Sequence, residues 1–184
     1  MAAVPTATVR AAMALRSSPG SMALAVACVV LLAAAPARRA SAGEPGDPPG
    51  RYVAAAGVAA VRSSFMGTGA VGYYWGRAWH HIEPGVLFGF VDHARYFSLQ
   101  LTYPVWARGR WAVALGTGPG LYERDLRAPN LGSDVEFFSN LTVRTRLTPR
   151  VALGLGLGHL SNAHLAPYNP GSNVAYLIIE ATSH

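Results

Sequence analysis

Val151-Ala152-Leu153-Gly154-Leu155-Gly156-Leu157-Gly158-His159-Leu160-Ser161 decides the fold. Its odd positions are bulky and mostly apolar until His159 and Ser161, while its even positions begin with Ala152, Gly154, Gly156 and Gly158, and a period of two belongs to a strand. The stretch before it, Val135 to Leu147, repeats the period with polarity in place of size. There Val135, Phe137, Leu141, Val143 and Leu147 alternate with Glu136, Asn140, Thr142, Arg144 and Arg146. Further out, Phe97, Leu99, Leu101 and Tyr103 alternate with Tyr96, Ser98, Gln100 and Thr102. Val71, Tyr73, Trp75 and Trp79 likewise alternate with Gly72, Tyr74, Gly76 and Ala78. Apolar outward and polar or small inward is the requirement of a transmembrane barrel, because only a closed sheet satisfies every backbone donor in lipid.

Eight such stretches are legible, at about 51 to 61, 68 to 79, 82 to 91, 95 to 105, 110 to 122, 133 to 147, 150 to 161 and 172 to 181. An even number closes an up-and-down barrel. Tight connections such as Ala107-Arg108-Gly109 and Thr148-Pro149-Arg150 follow even strands, and longer ones, near 123 to 132 and 162 to 171, follow the fifth and seventh. That asymmetry places both termini on the periplasmic side. The rival is a soluble eight-stranded barrel of lipocalin type with an apolar interior. Inward Arg144, Arg146 and Glu136 would be costly in such a dry calyx, so the expected class is all-β, an eight-stranded antiparallel up-and-down transmembrane β-barrel.

The chain has 184 residues, 51% of them hydrophobic and 13% charged, which suits one domain and excludes a disordered polymer. Its formal net charge of +6 suggests a nucleic-acid partner only until the charges are located. Arg10, Arg16, Arg38 and Arg39 fall in a first segment without Asp or Glu; the remainder holds 11 Arg against 9 acids, a balance of +2 with no basic footprint. That first segment reads as a secretory signal, residues 1–42, with an apolar run from Met22 to Ala35 and a small-residue site at Ala40-Ser41-Ala42. Residues 43–50 read as a flexible Pro/Gly/acid leader and 51–184 as the barrel. Cys28 leaves with the signal, so disulfides play no part in the mature chain.

His159 and Ser161 share a strand face about 6.6 Å apart along the axis, close enough for an imidazole base to lean towards a hydroxyl nucleophile. The same spacing is also what the end of an apolar band at the membrane interface looks like, and spacing alone leaves both readings open. An odd-numbered strand runs outward, which puts the pair at the depth of the outer head groups. His80-His81, His93 and His164 lack ligand-like company, so no metal is expected. Trp75, Trp79, Trp106 and Trp111 suit an interfacial girdle.

His159-Leu160-Ser161-Asn162-Ala163, then Leu165 and Asn169-Pro170-Gly171, resembles the signature of the PagL-type lipid A 3-O-deacylases and the acyloxyacyl-hydrolase-like outer-membrane group around them. Leu131-Gly132-Ser133 with Glu136-Phe137, and Arg146-Leu147 before Pro149-Arg150, is similar to the preceding hairpin of that group. The resemblance implies an outer-membrane barrel of a Gram-negative bacterium that hydrolyses an ester-linked acyl chain of lipopolysaccharide without a cofactor. It makes His159 the base and Ser161 the nucleophile. Asn169 and a backbone amide near His164 become the oxyanion donors, with Asn162 beside them. The implied partners are lipid A, the surrounding membrane lipids and the barrel-assembly machinery, with no nucleic acid. One position departs from the pattern: the family's glutamate that orients the histidine is Asn173 here. That departure keeps a second reading alive, a barrel of the same fold with a structural or lipid-binding role and no turnover.

Overall fold

The computed structural model describes residues 50–76 and 81–183. The segment read as a signal and all but Gly50 of the leader lie outside the described residues, as do Trp79 and His80. Eight strands follow one another: β1 (Arg51–Val61), β2 (Ser64–Tyr74), β3 (Glu83–Val91), β4 (Ala94–Arg108), β5 (Trp111–Arg124), β6 (Val135–Arg146), β7 (Val151–Ser161) and β8 (Ser172–Thr182). Each pairs antiparallel with the next, and β8 returns to β1 to close the barrel. Arg51 faces Thr182 across that seam, so both ends of the barrel chain lie at the end opposite His159 and Ser161.

The facing of the residues follows the alternation. Leu155, Leu157 and Leu177 are 63 to 65% exposed on the outer wall, whereas Ser98, Gln100 and Glu136 are at most 1% exposed inside. A sheet that turns leucine out and glutamine in has the fold of a transmembrane barrel, and the soluble apolar-core alternative falls. The bare face of β7 packs the lumen: a Cβ on Gly156 or Gly158 would enter the ring of Tyr176 or Phe138.

Two lumen layers result. Near the chain ends Arg51 pairs with Glu83, Arg51 Nε lies 3.4 Å from Glu180 Oε1, and Arg144 Nη1 donates to both Glu180 oxygens at 2.9 Å. Arg51 also lies 4.6 Å over the Tyr74 ring. Towards the other end the lumen is filled by Tyr96, Tyr122, Leu131, Phe138, Leu160 and Val174. Arg146, expected inward, is exposed at the strand end instead. The cavity between the layers is about 70 Å³, room for about five waters and not for an acyl chain.

Two expectations shift. Strand β2 starts at Ser64, four residues earlier than its turn-like Ser63-Ser64 suggests, because pairing of Val61 with Ser64 closes the hairpin at once. It also ends at Tyr74, so Trp75 lies just beyond it. The connections at the His159 end are consequently unequal: Arg62-Ser63 and Asp92-His93 are tight turns, while 125–134 and 162–171 are long. Between Pro104 and Trp106 the β4–β5 register slips, as expected where proline removes a ladder donor.

Candidate active site

Because β7 and β8 form an antiparallel hairpin, the register places His159 directly opposite Asn173, both on the outer wall. Their side chains meet, with His159 Nδ1 and Asn173 Oδ1 2.8 Å apart. An amide oxygen only accepts, so Nδ1 carries the proton and Nε2 keeps its lone pair, the tautomer a general base requires. The other edge of the ring is held by backbone. A Cβ on Gly171 would lie 2.8 Å from His159 Cε1 and 3.0 Å from Nε2, and its φ of +62° also favours glycine.

Ser161 stands one strand repeat further along the same face, opposite Phe137 of β6. Among the described residues no hydrogen bond joins its hydroxyl to the imidazole. On the ring's other flank the register puts Ser139, whose Oγ lies 2.9 Å from Thr117 Oγ1. Thr117, Ser139, His159 and Asn173 therefore form a polar row across four strands of a wall whose exposed large side chains are mostly apolar. Spacing within β7 alone gave no sign of the Ser139 contribution, which depends on inter-strand register.

The loop after Ser161 is organised by Asn162, which is fully buried. Its Nδ2 donates to Tyr168 O at 2.9 Å and Leu131 O at 3.3 Å, and its Oδ1 accepts the His164 N–H at 2.9 Å. Both ends of this amide are thus spent on the scaffold, and the His164 amide expected to serve an oxyanion is engaged by Asn162. The His164 side chain is exposed. Asn169 is differently placed. Its Oδ1 accepts the Asn162 N–H at 3.2 Å, one peptide unit from Ser161, and leaves its Nδ2 as a donor without a partner among the described residues.

Leu131 and Gly132 make the second long loop part of this scaffold. Gly132 has φ +101°, and a Cβ there would come within 1.8 Å of Tyr168 O and 2.8 Å of Asn162 Nδ2. In the sequence they are merely a Leu-Gly before a serine; their role depends on two loops meeting. Elsewhere in that loop Asp125 accepts the N–H groups of Arg127 and Ala128 and meets His93 Nδ1 at 3.2 Å. The Arg127 N–H holds the Asp125 carboxyl below the usual carboxylate range, with further help from Ala128 and His93. Among the described residues no cluster of three or more His, Cys, Asp or Glu side chains is arranged to hold a metal ion.

Comparison with known proteins adds to this geometry. Residues 57–181 match the family model described as lipid A 3-O-deacylase (PagL). Among solved structures, the outer membrane enzyme PagL superposes with a TM-score of 0.54 at 18% identity, over 71% of this chain and 98% of that one. Neisserial surface protein A gives 0.53 at 13% identity, over 72% and 95%. A de novo designed transmembrane β-barrel gives 0.50 at 13%, over 76% and 98%. No curated protein sequence matches the chain.

Proposed function

Since the chain belongs to the lipid A 3-O-deacylase (PagL) family, we propose that it hydrolyses an ester-linked acyl chain of lipid A, using Ser161 and His159. The observation that supports this most is the His159 Nδ1 to Asn173 Oδ1 contact of 2.8 Å on the lipid-facing wall, with Ser161 on the same face. In this reading Ser161 Oγ attacks the ester carbonyl carbon and His159 Nε2 takes its proton. The tetrahedral oxyanion is received by Asn169 Nδ2, while Asn162 keeps that loop in place and ties down the His164 amide. Collapse expels the alcohol, which His159 protonates, and leaves an acyl-serine. Water activated by the same imidazole then releases the fatty acid. Asn173 fixes the tautomer without contributing charge, so the imidazolium is stabilised less than it would be by a carboxylate.

A site facing outward suits a substrate that already lives in the bilayer and needs no channel through the lumen. The proposed location is the outer membrane of a Gram-negative bacterium, reached through the signal of residues 1–42 and the barrel-assembly machinery, with the His159 end in the outer leaflet. The non-catalytic, lipid-binding reading rests on Asn173 and on the absence of a Ser161 to His159 hydrogen bond. Mass spectrometry of lipid A from cells producing the chain or its Ser161→Ala form separates the two readings. Loss of one acyl mass with the parent and not with the variant supports the esterase; unchanged lipid A with a folded parent supports the non-catalytic barrel.

A further inference from the structure

Arg62 opens the two-residue turn between β1 and β2, beyond Ala60, which pairs with Asn173. Its φ is +53°, a conformation that Gly, Asn or Asp would fill with less strain in so short a hairpin. Turn chemistry therefore does not account for an arginine here. The guanidinium Cζ lies 5.3 Å from the centroid of the Tyr168 ring. Tyr168 in turn accepts from Asn162 through its carbonyl and immediately precedes Asn169. The cation is thus stacked on the loop segment that carries the oxyanion donor, at the catalytic end of the wall.

The electrostatics of this arc are one-sided. In β7, the 162–171 loop, β8, β1 and β2 the single acid is Glu180, at the lumen floor and paired with Arg144 and Arg51. Asp92, Asp125 and Asp134 lie in the connections between β3 and β6, and none of them pairs with Arg62 among the described residues. Arg62 makes no ion pair among the described residues, so it presents an uncompensated cation beside the catalytic pair. One face of its plane is occupied by the aromatic ring, and its edge N–H groups remain for a forked contact with an anion.

We infer that Arg62 binds a phosphate on the head group of the lipid substrate and so selects phosphorylated acylated glycolipids. This rests on the deacylase reading for the nature of the lipid. The phosphate is held at a fixed offset from Asn169 through Tyr168, which places the acyl ester against Ser161 rather than leaving the head group free to rotate.

The test compares the parent, Arg62→Gln and Arg62→Lys on lipid A and on the same lipid after phosphatase treatment, in mixed micelles. Arg62→Gln should raise KM for the phosphorylated lipid about tenfold, leave kcat unchanged and leave the dephosphorylated lipid unaffected. Arg62→Lys should retain most of the discrimination. Equal loss of kcat on both lipids would assign Arg62 to holding the Tyr168 loop and overturn the inference, as would an unchanged KM. The same comparison by equilibrium binding in a Ser161→Ala background needs no turnover. Phosphate-dependent binding lost with Arg62→Gln supports the contact even where the parent shows no hydrolysis, a result that would sink the esterase alone. Millimolar inorganic phosphate should leave the lipid discrimination in place; abolition by the free ion would make this a general anion site and overturn the lipid assignment.

Discussion

At the lumen floor Arg51, Glu83, Arg144 and Glu180 point inward and neutralise one another, with Arg51 Nε left without a hydrogen bond among the described residues, whereas at the opposite end His159, Ser161 and Asn173 point outward from the same thin wall. The first group has its charges compensated, and its chemistry is finished when the barrel closes. At the second end, the adjoining loop included, hydrogen-bonding capacity remains: Nε2 of His159 and Nδ2 of Asn169 have no partner among the described residues. Paired polar groups inside a barrel maintain the fold; polar groups left open on its outside are where a membrane lipid can be recognised. Substitutions at the two ends should therefore separate stability from turnover.

The largest effect falls at the outer end. Ser161→Ala or His159→Asn should lower deacylation by about 10⁴-fold or more, with the double variant hardly worse than either, because nucleophile and base act as a unit. Heat resistance of the barrel on detergent gels should not change. The mirror experiment is Glu180→Ala, which leaves two inward arginines short of a partner. Denaturant unfolding in micelles should show a loss of about 3 kcal/mol, with deacylation per folded molecule unaltered. If Glu180→Ala lowers turnover and spares stability, the division between the two ends is wrong.

Gly171 belongs to the wall by position and to the site by contact. Gly171→Ala pushes a methyl group against Cε1 and Nε2 of His159 and should reduce kcat by up to about 10²-fold in a barrel that still folds. Asn173 comes next. Asn173→Ala should lower turnover about tenfold through loss of the tautomer lock, while Asn173→Glu should preserve or raise it. Equal activity of parent and both variants would remove Asn173 from the mechanism.

The smallest effect concerns the start of the 125–134 loop, ahead of the Leu131 and Gly132 contacts with the site's scaffold. Asp125 has its carboxyl held below the ordinary range, so the order it contributes to residues 125–134 is complete above about pH 4 and lost as pH falls through the depressed value. Hydrogen exchange of the Arg127 and Ala128 amides should accelerate on acidification, and in Asp125→Asn the exchange should be insensitive to pH after correction for the intrinsic rate.

The period of two was legible because lipid on one side and a packed lumen on the other impose opposite demands on neighbouring residues, as in Leu155 and Gly156. Adjacency of His159 and Asn173 was equally readable, since a hairpin brings the end of one strand against the start of the next. The start of β2 was not, because Ser64 to Gly67 look like a turn locally and are strand only through pairing with β1. Nor were the duties of Asn162. Its hydrogen bonds reach Leu131, 31 positions away, through a meeting of two loops that no local pattern encodes. No acid stands in for Asn173 at the imidazole among the described residues. Asp125 is committed to its own loop and His93, while the His159 ring already has Asn173.

In the proposed mechanism a serine on the lipid-facing wall is the nucleophile. The direct measurement is labelling of the folded barrel in detergent with a long-chain fluorophosphonate, followed by peptide mass spectrometry. One adduct at Ser161, absent in His159→Asn, is the predicted result. An adduct at Ser139, or deacylation of lipid A that persists in Ser161→Ala, would contradict it.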